Sequence, residues 1–275
     1  MNQPQKQLKI ILIGDSCYDK THFGTVNRLS PEAPIPVLDF SHTEEKEGMA
    51  ANVKNNFIAL GIEKENILFY TEMYDEKHRY IDEKTKQQLL RVDIPLPRSY
   101  KFNSSNYRLW DELSSYNYAI IADYDKGTID YETIEKLRNE FRGTIFLDTK
   151  KPDLKRFKDC ILKINNDEWN NRTSDPSKDA EVIITYGGEK VIWKNKDFEQ
   201  TFYPPKVETY DACGCGDTFL AALAYYYIRT KDMETAICFA MDAAAETIKH
   251  IGVYAPTRKE ISNGKTSHSR LSGRS

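Results

Sequence analysis

The residues with the clearest chemical potential lie at 211–217, where the chain reads Asp-Ala-Cys-Gly-Cys-Gly-Asp before an apolar run. Gly214 and Gly216 flank one residue, and Asp217 follows at the start of a predicted helix. Small residues let backbone N–H groups turn toward an anion, and a helix N-terminus adds partial positive charge. A carboxylate there can take the proton of a hydroxyl that attacks a phosphate. The pattern predicts phosphoryl transfer to a small molecule, with a tight turn N-capped by Asp217 as the alternative.

A second polar element, Asn165 and Glu168, follows a predicted buried strand. An amide and a carboxylate at a strand end can hold Mg²⁺ through water. The alternative is a helix start with Asn165 as cap and Glu168 in the first turn. The residues alone leave both interpretations open.

Five further polar residues are candidates for contact with a substrate. Asp15 and Asp19 follow the first predicted strand, and Asn52 lies in a helix that begins with glycine, positions suited to binding sugar hydroxyls or to ordinary turn chemistry. Arg91 and Lys126 are each able to bind a phosphate carried by the substrate, or to be solvated surface cations.

Alternating strands and helices must position these residues. Buried strands are predicted at 9–15, 67–70, 118–123, 144–148, 160–164 and 181–186, and helices at 48–60, 130–142, 217–229 and 233–250. A hairpin is predicted at 77–81 and 88–92, antiparallel strands at 189–193 and 199–203, and a proline-rich edge strand or flap near 28–40. This alternation predicts an α/β fold with a doubly wound, mostly parallel sheet.

Composition sets the remaining bounds. The 275 residues carry 29% charged residues and a net charge of −3, which gives no global signal for nucleic acid. Five cysteines without paired zinc spacing favour a reduced, cytoplasmic protein. We expect no targeting segment, because the N-terminus is polar, and no membrane span, because the longest apolar run, 219–228, is shorter than about 20 residues. We expect one domain over 1–260 and a disordered tail over 261–275.

These motifs resemble those of the ribokinase-type (PfkB) carbohydrate kinases. The 211–217 stretch is similar to the family signature D-x-[TS]-G-A-G-D, with Cys213 and Cys215 in place of the usual hydroxyl residue and alanine. The Asn165 to Glu168 spacing matches the N-x-x-E motif, and the stretch at 48–53 resembles G-G-x-A-N-[VA] with Met49 as the second residue.

A narrower resemblance is to D-glycero-D-manno-heptose 7-phosphate kinases. It rests on R-L-S-P-E-A-P-I-P-V at 28–37, Q-Q-L-L-R-V-D at 87–93, D-Y-x-K-G at 123–127 and L-D-T-K at 147–150. The similarity runs over about 10–256. The Ser-Pro-Glu-Ala-Pro run is its most specific part.

The resemblance implies a ribokinase-like fold and the roles of individual residues. Asp217 would be the catalytic base, with an anion hole at Gly214, Cys215 and Gly216. Asn165 and Glu168 would organise Mg²⁺ through water. ATP would be the phosphoryl donor, and a monovalent cation is a further candidate. The implied nucleotide-binding residues are Thr185, Gly187, Asp211, Asp242 and Gly252. The implied substrate-binding residues are Asp15, Asp19, Gly48, Asn52, Arg91, Asp123 and Lys126.

The implied substrate is a sugar or sugar phosphate, most directly heptose 7-phosphate, with the 1,7-bisphosphate used for lipopolysaccharide precursors as product. Residues 28–40 and 77–93 would form a flap over the sugar and a possible homodimer contact. The resemblance implies neither nucleic acid nor membrane as a partner. Alternatives are another sugar or nucleoside as substrate, or a non-catalytic binder.

The chain departs from the pattern at several places. The segments between 60 and 77 and between 169 and 181 are short, and 185–188 only partly resembles the T-[KR]-G-x-x-G nucleotide loop. No H-x-G-H motif occurs, so we expect this chain to lack the nucleotidyltransferase domain of bifunctional relatives.

Overall fold

A computed structural model describes residues 8–71, 75–95, 107–263 and 271–274. Within these residues a nine-stranded sheet has the order β13-β12-β11-β10-β9-β8-β7-β1-β4. The parallel strands are β1 (Ile10–Gly14), β4 (Ile67–Thr71), β7 (Tyr118–Asp123), β8 (Thr144–Thr149), β9 (Ile161–Asn165) and β10 (Glu181–Thr185). The antiparallel strands at the far edge are β11 (Val191–Lys194), β12 (Glu199–Phe202) and β13 (Leu271–Arg274). The predicted mostly parallel α/β sheet is confirmed.

Helices cover both faces of this sheet. Their bounds are α1 Ala50–Ala59, α2 Tyr107–Glu112, α3 Tyr131–Glu140, α4 Asn166–Asn170, α5 Cys215–Thr230, α6 Met233–Thr247 and α7 Arg258–Asn263. Side chains alternate between the faces: Ile10 belongs to the core under α1, α5 and α6, whereas Ile11 belongs to the core under α3. Strands buried on both sides read as continuous apolar runs, which is why the sequence predicts them well. No helix among the described residues is long and apolar enough to cross a membrane.

A second sheet of four strands, which we call the lid sheet, has the order β3-β2-β5-β6. Its strands are β2 (Ser16–Leu29), β3 (Pro36–Met49), β5 (Asp75–Asp82) and β6 (Gln88–Ile94). Residues 28–40 and 77–93, predicted as a flap, lie in this sheet or its turns, but the sheet also includes the rest of β2 and β3. Sequence analysis missed β2 because polar residues occupy both of its faces. The single-domain assignment stays a prediction.

The C-terminal segment is more ordered than its composition indicates. Within the predicted disordered tail, 261–275, α7 continues to Asn263 and Leu271–Arg274 pairs with β12. The disordered tail over 261–275 stays a prediction. Backbone N–H and C=O groups on the free edge of β12 offer a pairing partner that composition does not reveal. Residues 264–270 and 275 lie outside the described residues.

Candidate active site

Gly214 begins α5 in a conformation that favours glycine. It is the N-cap residue with φ 76°, and no side chain caps the helix. A Cβ added there would lie 2.7 Å from Nδ2 of Asn52 and 3.0 Å from Cγ1 of Val253. α5 begins two residues before the predicted start, so Asp217 lies in its first turn and not at its N-cap. The first N–H groups of a helix have no partner within the helix. The N–H of Cys215 donates to the carbonyl oxygen of Ala212 at 3.3 Å, which leaves those of Gly216 and Asp217 as the better candidates for an anion hole. We call residues 214–217 the anion cradle.

The Asp217 carboxylate is buried and held at both oxygens. Its Oδ2 accepts a hydrogen bond from Nδ2 of Asn52 at 3.0 Å, and its Oδ1 accepts one from the Tyr124 hydroxyl. Burial raises the pKa of Asp217 to about 6, against the lowering effect of the Tyr124 and Asn52 hydrogen bonds. The alternative of a simple N-capping aspartate is therefore wrong, because this side chain contacts α1 and the β7–α3 loop instead. A carboxylate with this pKa suits proton transfer near neutral pH.

Asn52 is itself oriented by a neighbour on α1. Nδ2 of Asn56 donates to Oδ1 of Asn52 at 3.2 Å and to its carbonyl oxygen at 2.9 Å. This fixes the Asn52 amide with its nitrogen toward Asp217. Gly48 allows close packing before the helix, because a Cβ there would lie 2.6 Å from Sγ of Cys17.

A buried lysine that sequence analysis missed lies beside the anion cradle. Lys163 on β9 pairs with Asp148 on β8, with Nζ 2.5 Å from Oδ2. Its Nζ would lie 3.2 Å from a Cβ added to Gly216. Burial alone would lower the pKa of Lys163, but the nearby carboxylates, Asp148 first, raise it. The sequence did carry a signal, because Lys163 is the one charged residue of β9 and lies between the apolar residues Leu162 and Ile164.

Asn165 and Glu168 form a capping box at the start of α4. Oδ1 of Asn165 accepts from the N–H of Glu168 at 2.9 Å, and Oε2 of Glu168 accepts from the N–H of Asn165 at 2.7 Å. Oε1 of Glu168 accepts from Nδ2 of Asn165 at 2.9 Å and also pairs with Lys150. The helix-start alternative is thus what the structure contains. Among the described residues no group of three or more metal-ligating side chains comes together, so a metal role for these two residues stays a prediction.

Asp15 and Asp123 hold the loop that follows β7. The Asp15 carboxylate accepts backbone hydrogen bonds from Tyr124 at 2.8 Å, and from Lys126 and Thr128 at 3.2 Å each. Asp123 accepts from the hydroxyl of Thr149 at 2.6 Å and from Lys151 at 3.2 Å. Burial raises the pKa of Asp123. Neither aspartate is in the lining of the cavity described next. Their oxygens hold this loop, and their sugar-binding roles stay predictions.

A cavity of about 330 Å³, the acceptor cavity, lies between the lid sheet and the anion cradle. Its lining includes Cys17, Asp19, Gly48, Met49, Lys77, Arg79, Arg91, Tyr124, Asp211, Ala212, Cys213, Gly214, Asp217 and Val253. Asp217 therefore faces the same space as the lid cations. The predicted residues Asp19, Gly48 and Arg91 line it, whereas Lys126 is an exposed residue outside this lining.

Two arginines of the lid that line this cavity are each paired with an aspartate. Asp19 binds Arg79 at both oxygens, with Nε at 2.9 Å and Nη2 at 3.2 Å. Arg91 binds Asp93 in the same bidentate way, at 2.7 and 2.9 Å, and this hydrogen bonding holds the pKa of Asp93 below its usual range. Sequence analysis missed Lys77 and Arg79, although two cations at positions i and i+2 of a predicted strand lie on one face.

Four of the five predicted nucleotide-binding residues form two pairs. Asp211 clamps two loops, accepting from the N–H of Cys213 at 2.9 Å and from the N–H of Gly252 at 2.8 Å. Thr185 ends β10 beside Asn165 of β9, and Gly187 follows in an open turn with φ 57°.

Asp242 is buried in α6, which packs on α5. No contact described for these five residues tests a nucleotide, so all the nucleotide-binding roles stay predictions.

The cysteines of the signature are poor nucleophiles. Burial raises the pKa of Cys213 to about 12 and also raises the pKa of Cys215. Because the thiolate is the reactive form, we expect slow reaction with thiol reagents.

The comparisons with known proteins agree with the motifs. A model of the pfkB family carbohydrate kinases matches residues 162–260. The chain is 27% identical to the bifunctional protein HldE of a Nitratiruptor species over 297 residues, covering 92% of this chain and 64% of the relative. It is 25% identical to the protein of the same name from Haemophilus influenzae (strain PittEE), covering 94% of this chain and 63% of the relative. The chain thus spans somewhat less than two thirds of these relatives.

Solved structures share the fold. Ribokinase from Thermotoga maritima superposes with a TM-score of 0.69 at 20% identity, covering 94% of this chain and 99% of that one. Phosphofructokinase-2 from Escherichia coli in complex with potassium gives 0.69 at 14% identity, covering 94% and 97%. The predicted resemblance to the PfkB carbohydrate kinases is confirmed by the family model, and the ribokinase-like fold by these structures.

Proposed function

We propose that this chain, a relative of the pfkB family carbohydrate kinases, transfers a phosphoryl group from ATP to a hydroxyl of a sugar phosphate. The substrate that we propose is heptose 7-phosphate, phosphorylated at its anomeric hydroxyl to give the 1,7-bisphosphate. The observation that carries the proposal is the position of Asp217. Its carboxylate lies in the first turn of α5, within the anion cradle, and lines the acceptor cavity.

The proposed chemistry assigns one task to each part of the site. The acceptor hydroxyl lies against Asp217, which takes its proton as the oxygen attacks the γ-phosphate. Backbone N–H groups of the anion cradle and the ammonium of Lys163 stabilise the negative charge that develops on the transferred group. Lys163 is placed for this task because its Nζ lies against Gly216.

Magnesium fits the site as a water-mediated ion. Both oxygens of Glu168 already accept hydrogen bonds, so direct coordination would break the capping box. Mg²⁺ usually keeps several waters and takes few protein ligands beside the phosphates. We propose that Glu168 and Asn165 hold it through water, and the ion would neutralise charge on the ATP phosphates. A monovalent cation remains part of the proposal without a site assigned.

A phosphate on the substrate is favoured by the lid. Lys77, Arg79 and Arg91 all line the acceptor cavity, and guanidinium groups bind phosphate oxygens in pairs. An unphosphorylated sugar or nucleoside is the second candidate, because Asp19 and Asp93 already occupy the two arginines. A phosphorylated substrate would have to displace Asp19 or Asp93 from these arginines, whereas an unphosphorylated substrate would not.

The lid also supplies a surface for the proposed homodimer. Leu90, Val92 and Ile94 occupy alternate positions of β6 and are 56%, 38% and 41% exposed. They therefore share one face of an edge strand. A monomeric mass in light scattering at micromolar concentration would contradict the dimer. A cytoplasmic location remains part of the proposal.

The experiment is a screen of ADP release across sugars and sugar phosphates, with wild type and Asp217→Asn. We expect turnover with a sugar phosphate, and a fall of at least about 10²- to 10⁴-fold in the variant, because its proton acceptor is gone. Binding of ATP, measured by calorimetry, should be largely retained. Unchanged turnover in Asp217→Asn would remove the proposed mechanism, and ATP binding without any phosphoryl transfer would favour a non-catalytic binder.

The same variant has an internal control for folding. The folded-state pKa of Asp217, about 6, lies above the ordinary value of 3.8. The stabilising contribution of this group is therefore fully present below about pH 3.8 and is lost as pH rises through about 6, so the ionised carboxylate costs stability at pH 7. Asp217→Asn should be at least as stable as wild type at pH 7, so lost turnover cannot be ascribed to unfolding.

A further inference from the structure

We infer that Tyr124 is a positioning residue for Asp217, and that its phenol fixes the carboxylate toward the acceptor cavity. The description of Asp217 as a base rests on the proposed function; the contact between the two side chains does not. Sequence analysis used Tyr124 only as part of the D-Y-x-K-G resemblance at 123–127 and gave it no role.

The first support is the way in which Asp217 is held. The Tyr124 hydroxyl donates to Oδ1 and the Asn52 amide donates to Oδ2. One donor on each oxygen fixes the plane of the carboxylate, and each oxygen keeps lone pairs for an incoming hydroxyl. Tyr124 lines the acceptor cavity, so the fixed plane faces the space where an acceptor would bind.

The second support is the rigidity of the loop that carries Tyr124. Asp15 accepts the backbone N–H groups of Tyr124, Lys126 and Thr128. Asp125 has φ 55°, and its side chain pairs with Lys151 at 2.6 Å. Because backbone and side chains both anchor the loop, the phenol is aimed by the fold and does not swing freely. The buried Asp15 thereby acts on Asp217 through Tyr124.

The third support is the protonation of the phenol. Burial and the negative charges of Asp217 and Asp148 raise the pKa of Tyr124. The hydroxyl keeps its proton and can only donate toward the carboxylate. Two ammonium groups lie over the ring, Lys77 of the lid sheet at 5.8 Å and Lys150 after β8 at 5.1 Å from its centroid. Tyr124 therefore contacts the lid sheet through Lys77, the residue after β8 through Lys150, and the anion cradle through Asp217.

Removal of the phenol oxygen has a direct consequence. A hydrogen bond to the ionised form of a carboxylate favours that form. Tyr124→Phe leaves Asp217 buried with one donor fewer, so its pKa should rise. A rise of one unit lowers the ionised fraction about tenfold at pH values below the pKa. Turnover should then fall most at acidic pH and approach the wild-type value at alkaline pH.

The test compares Tyr124→Phe with Tyr131→Phe. Tyr131 is also partly buried, but its hydroxyl accepts from the N–H of Asp153 at 3.0 Å and does not contact Asp217. The first measurement is a carbon-13 NMR titration of the aspartate carboxyls in the protein without substrate, with the Asp217 signal assigned from Asp217→Asn. The second is turnover between pH 5.5 and 9 with the sugar phosphate from the screen.

We expect the Asp217 titration to move to higher pH in Tyr124→Phe and to stay unchanged in Tyr131→Phe. If Tyr124→Phe does not fold, incorporation of 3-fluorotyrosine at position 124, a stronger donor, should move the titration to lower pH. An unchanged Asp217 titration, or an equal loss of turnover at every pH, would overturn the inference. If the wild type turns over no substrate, the proposed function fails, and the NMR titration still decides the inference.

Discussion

The carboxyl edge of the central sheet and the lid sheet carry the same kind of charged pair in opposite surroundings. Lys163 and Asp148 pair beside the anion cradle with side chains 5% and 12% exposed, whereas Arg91 and Asp93 pair on the lid with side chains 40% and 55% exposed. Buried charges have lost their water and depend on each other, but exposed charges remain hydrated. The comparison indicates that the Lys163–Asp148 pair, in the proposed phosphoryl-transfer half, is fixed by burial, while the exposed Arg91–Asp93 pair can exchange partners at low cost. The other lid pair, Arg79–Asp19, is as buried as Lys163–Asp148, with side chains 12% and 5% exposed.

The backbone shows the same contrast. All five residues of β1 are buried, whereas most residues of β3 are exposed. A strand covered on both faces is held by packing, and a two-sided exposed strand is held mainly by its ladder of hydrogen bonds. Changes in the central sheet should therefore alter stability, and changes in the lid should alter substrate affinity.

The largest expected effect on stability comes from breaking the buried pair. Lys163→Met leaves the Asp148 carboxylate buried without its partner, which costs about 3–5 kcal/mol of unfolding free energy. The double variant Lys163→Met, Asp148→Asn should recover much of this loss, because no uncompensated charge remains. Urea unfolding at pH 7 measures both. If the single and double variants were equally unstable, packing and not charge would explain the loss.

A lid pair should behave in the opposite way. Arg91→Gln should change the unfolding free energy by less than about 1 kcal/mol, because exposed pairs contribute little. It should raise KM for a phosphorylated substrate while leaving kcat nearly unchanged. Arg172→Gln, which removes a half-buried arginine paired with an aspartate, Asp175, outside the acceptor cavity, serves as the control. An unchanged KM would remove Arg91 from the acceptor site.

The smallest expected effect is a pH dependence of the lid. His22 and His78 lie with Nε2 and Nδ1 2.8 Å apart, and burial, followed by the charges of His78 and Lys20, lowers the pKa of His22. The unfolded chain binds this proton from about pH 6.5 downward and the folded chain does not, so stability should fall as pH decreases below about 6.5.

His22→Gln should reduce this decline, and His42→Gln, in the same sheet, serves as the control. Thermal unfolding at pH 5.5 and 7.5 measures the difference. An equal decline in His22→Gln and wild type would show that the pair does not sense pH in this range.

Sequence patterns predicted the central sheet better than the lid for a physical reason. The strand at 118–123 has the predicted bounds, because a buried parallel strand is an unbroken apolar run. β2 left no such pattern, since its polar residues contact both solvent and the acceptor cavity. A helix was predicted at 130–142, and α3 does begin there, with the Asp130 side chain accepting from the N–H of Thr133 as its N-cap. Apolar runs and helix-capping residues predicted the structure correctly where contacts between neighbouring residues determine it.

The amino-acid sequence by itself determined the α/β alternation, the glycine turn before α5 and the acidic residue that follows it, because these depend on neighbouring residues. Only the tertiary structure decided what surrounds Asp217. Tyr124, Asn52 and Lys163 come from a loop, a helix and a strand far apart in the chain, and the carboxyl ends of parallel strands bring them to one edge of the sheet. Tertiary contacts also made Asp15 an anchor of the 124–128 loop, because its partners are backbone groups more than a hundred residues away.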